Sequence, residues 1–482
     1  MWQKIRKFLP WIIFSIFVCL FFSYRLLEVP MGLTADETAF GYNAVLLSRT
    51  GHDENGRFLP FFVLSNHGTD WKQPVTQYYL TLLFKIFNPS LFLLRFSSII
   101  IILISSILLF KLCQKIFDTK YAVVSLVLFL TIPLIMIQGH MGLDNIMPIP
   151  FTIIWIFCLY QYNKNKKIKF LVVSALALGV NFYTYKGMRA IFPIWYLISL
   201  LYIYKKPFSK NIRQFFIFSL VSLPFILVSP VLNHVYPGSI LGGTSPKIES
   251  FYDFLYPYFS SFDPTFLFIK GDDLLFHSTG HHGFFLLASL PLFLIGIYHS
   301  LQKNKFSRFI LTIFFISPIL YGMVNSVHRA SRLMCLIPFY VIICLYGLEK
   351  INQLKLKYRF IIFFFLISTF TLNYCDFLHY YYFDYAKLTQ NFVGDLKYYL
   401  SFKALKDNSE KLKLNPYIAD DLNYPFYESI YFPQGTVEHI SQDLSSPPGS
   451  ILLTNRDNIP GMSKLDINLR YYYLQVNKSL NK

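Results

Sequence analysis

The sequence predicts an all-α polytopic membrane protein with about eleven transmembrane helices and a small extracytoplasmic α/β domain at its carboxyl end. Three observations support this fold class. Of the 482 residues, 54% are hydrophobic and only 15% are charged. Long apolar runs recur along the chain, and Lys and Arg cluster in every second connection between them. After residue 375 the composition changes, because charges of both signs replace the apolar runs.

The apolar runs predict the transmembrane helices. A bilayer is spanned by roughly 20 apolar residues. By this criterion the candidate spans are about 9–27, 91–112, 121–138, 146–162, 168–184, 190–204, 214–233, 283–301, 308–323, 333–348 and 359–375. The first run lacks a small-residue cleavage site, so it is interpreted as an anchor and not as a signal peptide.

The charges between these runs predict the topology. The amino terminus and every second connection together hold 21 Lys and Arg but only two acids, Asp118 and Glu349. The other side holds 23 cations and 24 acids. By the positive-inside rule the cation-rich side is cytoplasmic. We therefore expect a multi-pass protein of the cytoplasmic (inner) membrane, with its amino terminus inside and residues 376–482 outside. The net charge of +18 needs no nucleic acid to explain it.

This topology divides the chain into two predicted domains. Residues 1–375 form the membrane domain, with a first outer loop at 28–90 and a second long outer loop at 234–282. Residues 376–482 form a small outer domain, with a turn signal at 446–449 and a short apolar run after it. The interiors of the spans are expected to hold essentially no ionisable residues, so any chemistry is expected at the outer face.

The first outer loop carries six acids and begins with a helix signal. Thr34 and Glu37 have the spacing of a capping box, in which Thr34 caps the helix and Glu37 folds back onto the cap. The helix is expected to run to about Thr50 and to stop at Gly51. Both acids of its first turn could simply complement the helix dipole. If Glu37 serves the cap, however, Asp36 remains to face the space between this helix and the membrane.

A second short helix is predicted after Asp70 and Lys72. Pro74 suits its first turn, and apolar residues recur at helical spacing up to Asn88. Thirteen residues cannot span a bilayer, so this helix should lie along the membrane surface. Asp70 and Lys72 would then lie just above the acyl boundary, either as a solvated charge pair or as part of a site for a lipid phosphate.

At this point the residues resemble a known family. The match in the first outer loop is specific in order and spacing, and it consists of Leu33-Thr-Ala-Asp-Glu-Thr-Ala-Phe-Gly-Tyr-Asn-Ala44, Thr50-Gly-His-Asp-Glu-Asn-Gly56, Leu59-Pro60 and Asp70-Trp-Lys-Gln-Pro74. Looser matches follow at 142–145, 183–189, 280–283 and 328–332. These segments resemble lipid-carrier-dependent glycosyltransferases of the GT-C fold, the group of protein O-mannosyltransferases and lipid A aminoarabinose transferases (glycosyltransferase family 39-like). The tail contributes little to the resemblance.

The resemblance implies transfer of a sugar from a polyprenyl-phosphate donor to an acceptor at the outer face, usually with inversion. It places the general base on Asp36, with Glu37 beside it as the second member of the candidate catalytic pair. Such a reaction needs a carboxylate beside the acceptor hydroxyl and cations beside the leaving phosphate. The candidate ligands of the donor phosphate are Lys72, Arg189, His328, Arg329 and Arg332. Each of these could instead be an interfacial residue that only snorkels to water.

Further polar residues at the outer face are candidates for binding the sugar or acceptor: Asp70, Asp144, Asn145, Tyr183 and Tyr185. Asp144 and Asn145 could equally cap the following span, and the tyrosines fit the aromatic belt of a membrane protein. His140, His281 and His282 raise a metal site, but they lack helical ligand spacing. We therefore expect no required cofactor and no metal ligand among the site residues, and a divalent metal stays open.

Three other functions remain as alternatives. A polysaccharide polymerase or ligase would use a polyprenyl diphosphate and would not need the Asp36 arrangement. A lipid or sugar transporter would move its substrate without turnover, and a non-catalytic scaffold gives no reason for acids to crowd the first outer loop. The expected partners are the bilayer, a polyprenyl-phosphate-linked sugar and an acceptor that is a protein, lipid or glycan. The sequence does not identify the sugar, the acceptor or the oligomeric state.

Overall fold

The structure, a computed structural model, describes residues 2–65, 68–240, 248–324, 326–390, 396–419, 424–433, 435–441, 446–467, 469 and 472–477. Most of these residues are helical. The α-helices are α1 (Trp2–Ser23), α2 (Ala35–Thr50), α3 (Pro74–Ile86), α4 (Leu91–Ile116), α5 (Thr119–Leu130), α6 (Pro133–Gly139), α7 (Pro148–Asn165), α8 (Ile168–Asn181), α9 (Met188–Ile203), α10 (Ile212–Ser222), α11 (Pro224–Leu227), α12 (Ser229–Val235), α13 (Phe251–Ser260), α14 (Leu290–Lys303), α15 (Lys305–Ile316), α16 (Ile319–Met323), α17 (Ile337–Asn352), α18 (Leu356–Tyr380), α19 (Ala386–Thr389), α20 (Leu396–Leu412) and α21 (Pro425–Tyr431).

The chain is a multi-pass membrane protein. Among the described residues, six helical segments are long and apolar enough to cross a bilayer, namely 91–116, 144–165, 208–235, 305–323, 330–352 and 356–389. A seventh forms if α5 and α6, which meet at a bend of 62°, count as one broken span. Helices also occupy the other predicted runs: α8, α9 and α14 have 14, 16 and 14 residues, and the part of α1 that is tested for a span, Phe8–Ser23, is a shorter apolar helix. Within the described residues, this criterion therefore gives at most seven spans, and the count of about eleven stays a prediction.

Two close helices pack the middle of the bundle. α14 and α17 approach each other at Gly296 and Gly347, where a Cβ atom added to either glycine would collide with the backbone of the other helix. Small residues allow this approach, because in hydrocarbon the helices gain stability from close van der Waals packing. This contact fixes the position of α14 against α17.

The first outer loop contains both predicted juxtamembrane helices. α2 begins at the predicted capping box of Thr34 and Glu37, and it ends before Gly51, whose φ of 74° is the left-handed conformation that glycine adopts readily. α3 begins at Pro74 and has the predicted thirteen residues. Between the helices lies a feature that the sequence did not predict. Strands β1 (Val63–Ser65) and β2 (Asp70–Lys72) pair as an antiparallel ribbon that presents Asp70 and Lys72.

The carboxyl-terminal part contains a small sheet, as predicted. Its strands are β3 (Asn415–Ala419), β4 (Glu438–Ile440), β5 (Ser450–Thr454), β6 (Ser463–Lys464) and β7 (Tyr473–Asn477). The sheet order is β4-β3-β5-β7-β6, in which β3 runs parallel to β4 and β5, and β7 runs antiparallel to β5 and β6.

This small domain packs on the first outer loop. Its apolar core is continuous with buried residues of α2 and α3, including Phe40, Val45 and Leu80. Phe426 of α21 lies against Gly41 of α2. One side of α2 is therefore covered by the tail.

Candidate active site

The first turn of α2 separates the roles of its two acids. Glu37 is fully buried, and its Oε2 accepts a hydrogen bond of 2.9 Å from the backbone N–H of Thr34, while the Thr34 hydroxyl accepts one of 3.1 Å from the Glu37 N–H. The side chain of Asp36 is 56% exposed. The capping box thus fixes the start of the helix through Glu37 and leaves the Asp36 carboxylate facing outward.

The second oxygen of Glu37 ties α2 to the membrane helices. Oε1 accepts hydrogen bonds from Arg95 Nε at 3.1 Å and from the backbone N–H of Gly142 at 3.0 Å. Arg95 is itself buried in α4, and its guanidinium also donates to the backbone carbonyls of Leu26, Pro30 and Gly32. Arg95 is the fifth residue of α4, so it lies near one end of this span and not in its interior. Its charge is stable there because Glu37 and several carbonyls satisfy it.

Asp36 belongs to a row of alternating charges, Asp36, Lys72, Asp70 and Lys186, which we call the charge cluster. Lys72 Nζ lies 2.5 Å from Asp36 Oδ1 and 2.9 Å from Asp70 Oδ2, and Asp70 Oδ1 forms a further ion pair with Lys186. The Lys72 side chain is only 2% exposed, and it lies over the ring of Phe40. The ribbon of β1 and β2 brings Lys72 to α2, and the turn before α9 brings Lys186.

The ion pairs control the protonation of the two central groups. Burial works against the charge of Lys72, but the carboxylates of Asp36 and Asp70 outweigh it and raise the pKa of Lys72. Burial likewise works against the ionisation of Asp70, yet Lys72 and Lys186 outweigh it and lower the pKa of Asp70. Lys72 and Asp70 therefore both stay charged near neutral pH.

Several other predicted residues meet the charge cluster. Asp144 interacts electrostatically with Lys72, Asp36, Asp70 and Lys186. Tyr185 lies between Asp144 and Arg332: it interacts electrostatically with Asp144, and its hydroxyl is within hydrogen-bonding range of Arg332 and Ser331. Burial raises the pKa of Tyr185 to about 12, although the charge of Arg332 acts in the opposite direction.

Arg332 has an unused donor. Among the described residues, its Nη1 atom is buried and has no hydrogen-bond partner. A buried guanidinium nitrogen without a partner costs free energy unless a ligand or water accepts its hydrogen bond. Arg332 thus carries a donor that is available to an anion at the edge of the charge cluster.

Three of the predicted site residues, Arg189, Tyr183 and Asn145, donate hydrogen bonds to other groups of the protein. Arg189 donates from Nη1 to the carbonyls of Ser239 and Ile240, and from Nη2 to the Gln73 side chain at 2.5 Å, although its buried Nε has no partner among the described residues. The Tyr183 hydroxyl donates to the carbonyl of Phe225 at 2.6 Å.

The third is Asn145, which donates to the side chain of Gln138 at 2.8 Å. The contacts of these three residues support the loops around the cluster.

His328 and Arg329 lie in a loop organised by an aspartate that the sequence analysis missed. Asp272 is fully buried, and its Oδ2 accepts hydrogen bonds from the Ala330 N–H at 2.8 Å and from His277 Nδ1 at 2.9 Å. Arg329 Nη1 lies 3.8 Å from Asp272 Oδ1. His328 stacks on Phe266, and its Nε2 lies 3.7 Å from Asp263, which is longer than a hydrogen bond.

One group of the described residues could hold a metal ion. Ligand atoms of His281, His282 and Asp376 all lie within 4.8 Å of one another, and His282 Nε2 is 3.0 Å from Asp376 Oδ2. The acids of the first outer loop do not contribute to it. His140 is not part of this group, because its Nδ1 atom contacts the Val29 carbonyl and the Tyr381 hydroxyl.

Arg95 and Asp272 contribute to the site, but neither belongs to a sequence motif. Arg95 was visible in the sequence as a single cation inside an apolar run, which is the usual mark of a buried ion pair in a membrane protein. Asp272 is one of two adjacent acids in the second outer loop, and nothing in the sequence distinguishes it from Asp273.

Comparison with known proteins agrees with this architecture. Residues 71–234 match the family described as dolichyl-phosphate-mannose-protein mannosyltransferase. Two crystal structures of ArnT from Cupriavidus metallidurans are similar in fold. The structure bound to undecaprenyl phosphate is 10% identical in sequence, has a TM-score of 0.57, and aligns over 98% of each chain. The apo structure is 11% identical, has a TM-score of 0.58, and aligns over 97% of this chain and 98% of the ArnT chain.

A third solved structure is more distant. The apo oligosaccharyltransferase of Archaeoglobus fulgidus has 10% identity, covers 92% of this chain and 69% of its own, and has a TM-score of 0.47. No curated protein is significantly similar in sequence.

The structural matches show a shared fold over almost the whole chain, and the family match covers the segment from β2 to α12. The predicted resemblance to glycosyltransferases of the GT-C fold is confirmed by these findings, although the family match begins at residue 71 and leaves the first-loop residues 33–60 outside it. The chain is a multi-pass membrane glycosyltransferase that shares the fold of ArnT and, over residues 71–234, is similar in sequence to the protein mannosyltransferase family.

Proposed function

We propose that this glycosyltransferase moves a sugar from a polyprenyl-phosphate donor to an acceptor hydroxyl, or a similar group, at the extracytoplasmic face, with inversion at the anomeric carbon. The observation that carries the proposal is the position of Asp36. Its half-exposed carboxylate lies at a rigid helix start, 2.5 Å from a buried lysine, within a cluster of outer-face charges. The fold shared with an ArnT that binds undecaprenyl phosphate supports a polyprenyl phosphate as the carrier.

Asp36 acts as the general base in this proposal. Inverting transfer passes through an oxocarbenium-like transition state, and the acceptor hydroxyl must lose its proton as it attacks from the face opposite the leaving phosphate. A carboxylate that is exposed to solvent and fixed by a helix cap can accept that proton. Lys72 keeps the carboxylate oriented, because the ammonium itself is packed against Phe40.

Glu37 is a positioning residue in this account. Its oxygens are engaged by Thr34, Arg95 and Gly142, so it fixes the first turn of α2 and, through it, the backbone of Asp36. A buried, paired carboxylate is poorly suited to take a proton from an acceptor. We therefore assign the proton transfer to Asp36 alone.

Cations at the edge of the cluster bind the donor phosphate. Arg332 is the first of these, because its Nη1 atom is a buried donor that a phosphate oxygen would satisfy. Lys72 and Lys186 add positive charge beside the carboxylates, and Arg189 offers its buried Nε. These groups stabilise the charge that develops on the phosphate as it leaves. His328 and Arg329 contribute from the loop held by Asp272.

The sugar and acceptor contact the remaining polar groups. Asp70, within the charge cluster, and Asp144 and Tyr185, beside it, can hydrogen-bond to sugar hydroxyls. Asn145 and Tyr183 support this surface through their bonds to Gln138 and Phe225.

The topology is part of the proposal. We place the amino terminus and the cation-rich connections inside and the charge cluster outside, in the inner membrane, with about eleven spans. The catalytic domain is residues 1–375 and the outer domain is residues 376–482. Because α18 runs on to Tyr380, the two domains are joined by a continuous helix.

Donor specificity tests the proposed function. The purified full-length protein in lipid is supplied with a panel of labelled polyprenyl-phosphate sugars, polyprenyl-diphosphate sugars and nucleotide sugars, together with membrane and envelope acceptors. The proposal predicts transfer from one or more polyprenyl-phosphate sugars and none from nucleotide sugars. Transfer from a diphosphate donor alone would indicate a polymerase or ligase and contradict the proposal. Movement of the labelled lipid without transfer would also contradict it.

A further inference from the structure

A second polar site lies at the other end of the bundle from Asp36. A cavity of about 280 Å³ is lined by Lys164, Lys303, Lys305, Tyr160, Tyr202 and Tyr346, among others. We call it the basic pocket. Its volume is close to the lower limit of small-molecule sites, roughly 300 Å³.

The helices themselves show that the basic pocket is remote from the proposed active site. α7 follows directly after Asp144 and ends at Asn165, beside Lys164, and α9 begins next to Arg189 and ends just after Tyr202. At 1.5 Å per residue, the 20 residues from Asp144 to Lys164 correspond to roughly 30 Å along the helix axis. The pocket therefore lies at the opposite membrane surface.

The charge around the basic pocket is strongly unbalanced. None of the residues that line the described cavity is acidic. Lys166 and Lys205 add two further cations at its edge, and together with partial burial the charges of Lys205 and Lys305 lower the pKa of Lys166 to about 8. One carboxylate, Glu349, pairs with Lys303. Lysines held this close together without enough carboxylates favour an anion as the missing partner.

A buried hydroxyl gives the pocket a polar contact of its own. Tyr346 is 1% exposed and lines the cavity, yet its hydroxyl has no hydrogen-bond partner among the described residues. A buried O–H without an acceptor is unfavourable, so its presence favours a ligand oxygen at this position. The ammonium of Lys303 lies over the Tyr346 ring, so a ligand oxygen there would meet both groups.

The surroundings of the basic pocket favour one class of anion. Leu201, beside Tyr202, is 70% exposed, and Leu301, close to Lys303, is 57% exposed. Exposed leucines at the ends of membrane helices meet acyl chains, whereas the lysines that follow them lie at the level of the headgroups. Basic pockets between membrane helices at this level bind the headgroups of anionic lipids.

We propose that the basic pocket is a binding site for the phosphate headgroup of an anionic bilayer lipid. Lys164, Lys303 and Lys305 pair with the phosphate, the Tyr346 hydroxyl donates to one of its oxygens, and the exposed leucines of α9 and α14 contact the acyl chains. The site does not include Asp36 or any donor-phosphate ligand, so it is independent of the proposed function.

Lipid binding to the full-length protein tests this inference. The protein is purified in a mild detergent and exchanged into nanodiscs that contain phosphatidylcholine alone or a mixture with phosphatidylglycerol. Retained lipid is measured by native mass spectrometry. The wild-type protein should retain one phosphatidylglycerol in preference to phosphatidylcholine, and the triple change Lys164→Gln, Lys303→Gln, Lys305→Gln should reduce that preference by at least about tenfold.

Two further variants make the result interpretable. Tyr346→Phe keeps the ring and removes only the unpartnered hydroxyl, so it should fold normally and reduce the preference several-fold. The control Lys355→Gln, Lys357→Gln, Arg359→Gln removes three cations near the start of α18, none of which lines the pocket, and should leave the lipid preference unchanged. Equal effects of the pocket and control variants would overturn the inference. So would retention of both lipids alike, or binding of inorganic phosphate at low millimolar concentration without any preference for phosphatidylglycerol.

Discussion

The substitution Asp36→Asn separates chemistry from folding at the proposed active site. The amide keeps the shape of the side chain but cannot accept the acceptor proton. A positioned general base contributes roughly 10²–10⁴-fold to a rate, which corresponds to about 2.7–5.4 kcal/mol of transition-state stabilisation. We therefore predict that the rate of sugar transfer falls at least about a hundredfold.

The structure predicts a much smaller effect on stability. The helix cap depends on Thr34 and Glu37, which the change does not touch. Asp36 is 56% exposed, so its loss removes a helix-dipole contribution of about 0.3–1 kcal/mol and an ion pair of similar weight. Lys72 retains Asp70 as a partner. Thermal unfolding should thus change by little while transfer is nearly abolished.

Single-turnover transfer of labelled sugar, measured together with thermal unfolding, checks this prediction. The matched control is Asp273→Asn, which also neutralises an exposed, ion-paired aspartate in an outer loop, and which should keep full activity. Transfer by Asp36→Asn within a few-fold of wild type would refute the reasoning. The base would then have to be sought at Asp144 or Asp70.

Three further predictions follow from the same cluster. Arg332→Gln should weaken retention of a polyprenyl phosphate roughly 10- to 100-fold, the range for a hydrogen bond to a charged group, as measured by binding of the labelled lipid; unchanged binding would contradict its role. Arg95→Leu leaves Glu37 as an uncompensated buried charge and should destabilise the protein by about 3–5 kcal/mol, whereas the double change Arg95→Leu, Glu37→Met should recover much of this loss in thermal unfolding. Because the pKa of Lys72 is raised, its ion pairs stabilise the fold fully at pH values below the ordinary lysine pKa, and this contribution is lost only as the pH rises through the raised pKa. Because the pKa of Asp70 is lowered, its ion pairs stabilise the fold fully at pH values above the ordinary aspartate pKa, and this contribution is lost only as the pH falls through the lowered pKa. Unfolding temperatures of wild type and Lys72→Met should accordingly differ by a constant amount between pH 5 and 9, and a difference that disappears within this window would contradict the assignment.

The local elements of the first outer loop could be predicted because their signals are local. The capping box of α2, its glycine stop and the proline start of α3 each depend on residues within a few positions of one another. The same pattern predicted that Glu37 would bond to the helix cap and that Asp36 would not, since only one of two adjacent acids can fold back onto the cap.

The rest of the site depends on contacts between distant segments. The pairing of Lys186 with Asp70 joins residues 116 positions apart, and that of Arg95 with Glu37 joins residues 58 apart. No spacing in the sequence records such pairs. The ribbon of β1 and β2 was also missed, because two strands of three residues are too short to show alternation.

Predicted phosphate ligands illustrate the same limit. The sequence showed that cations recur at the outer ends of the spans, but it could not show which of them retain unused donors. Arg189 donates to two backbone carbonyls and to Gln73 and keeps only its buried Nε unpartnered, whereas Arg332 keeps its buried Nη1 unpartnered among the described residues. Which donors stay unused depends on how the loops pack around each side chain.

The most direct test of the central claim is the configuration of the new glycosidic bond. The wild-type protein is supplied with a polyprenyl-phosphate sugar of known anomeric configuration, and the product is analysed by nuclear magnetic resonance. A single displacement assisted by one carboxylate, Asp36, predicts inversion at the anomeric carbon. A product with retained configuration would exclude a single displacement from the face opposite the leaving phosphate, and it would contradict the account.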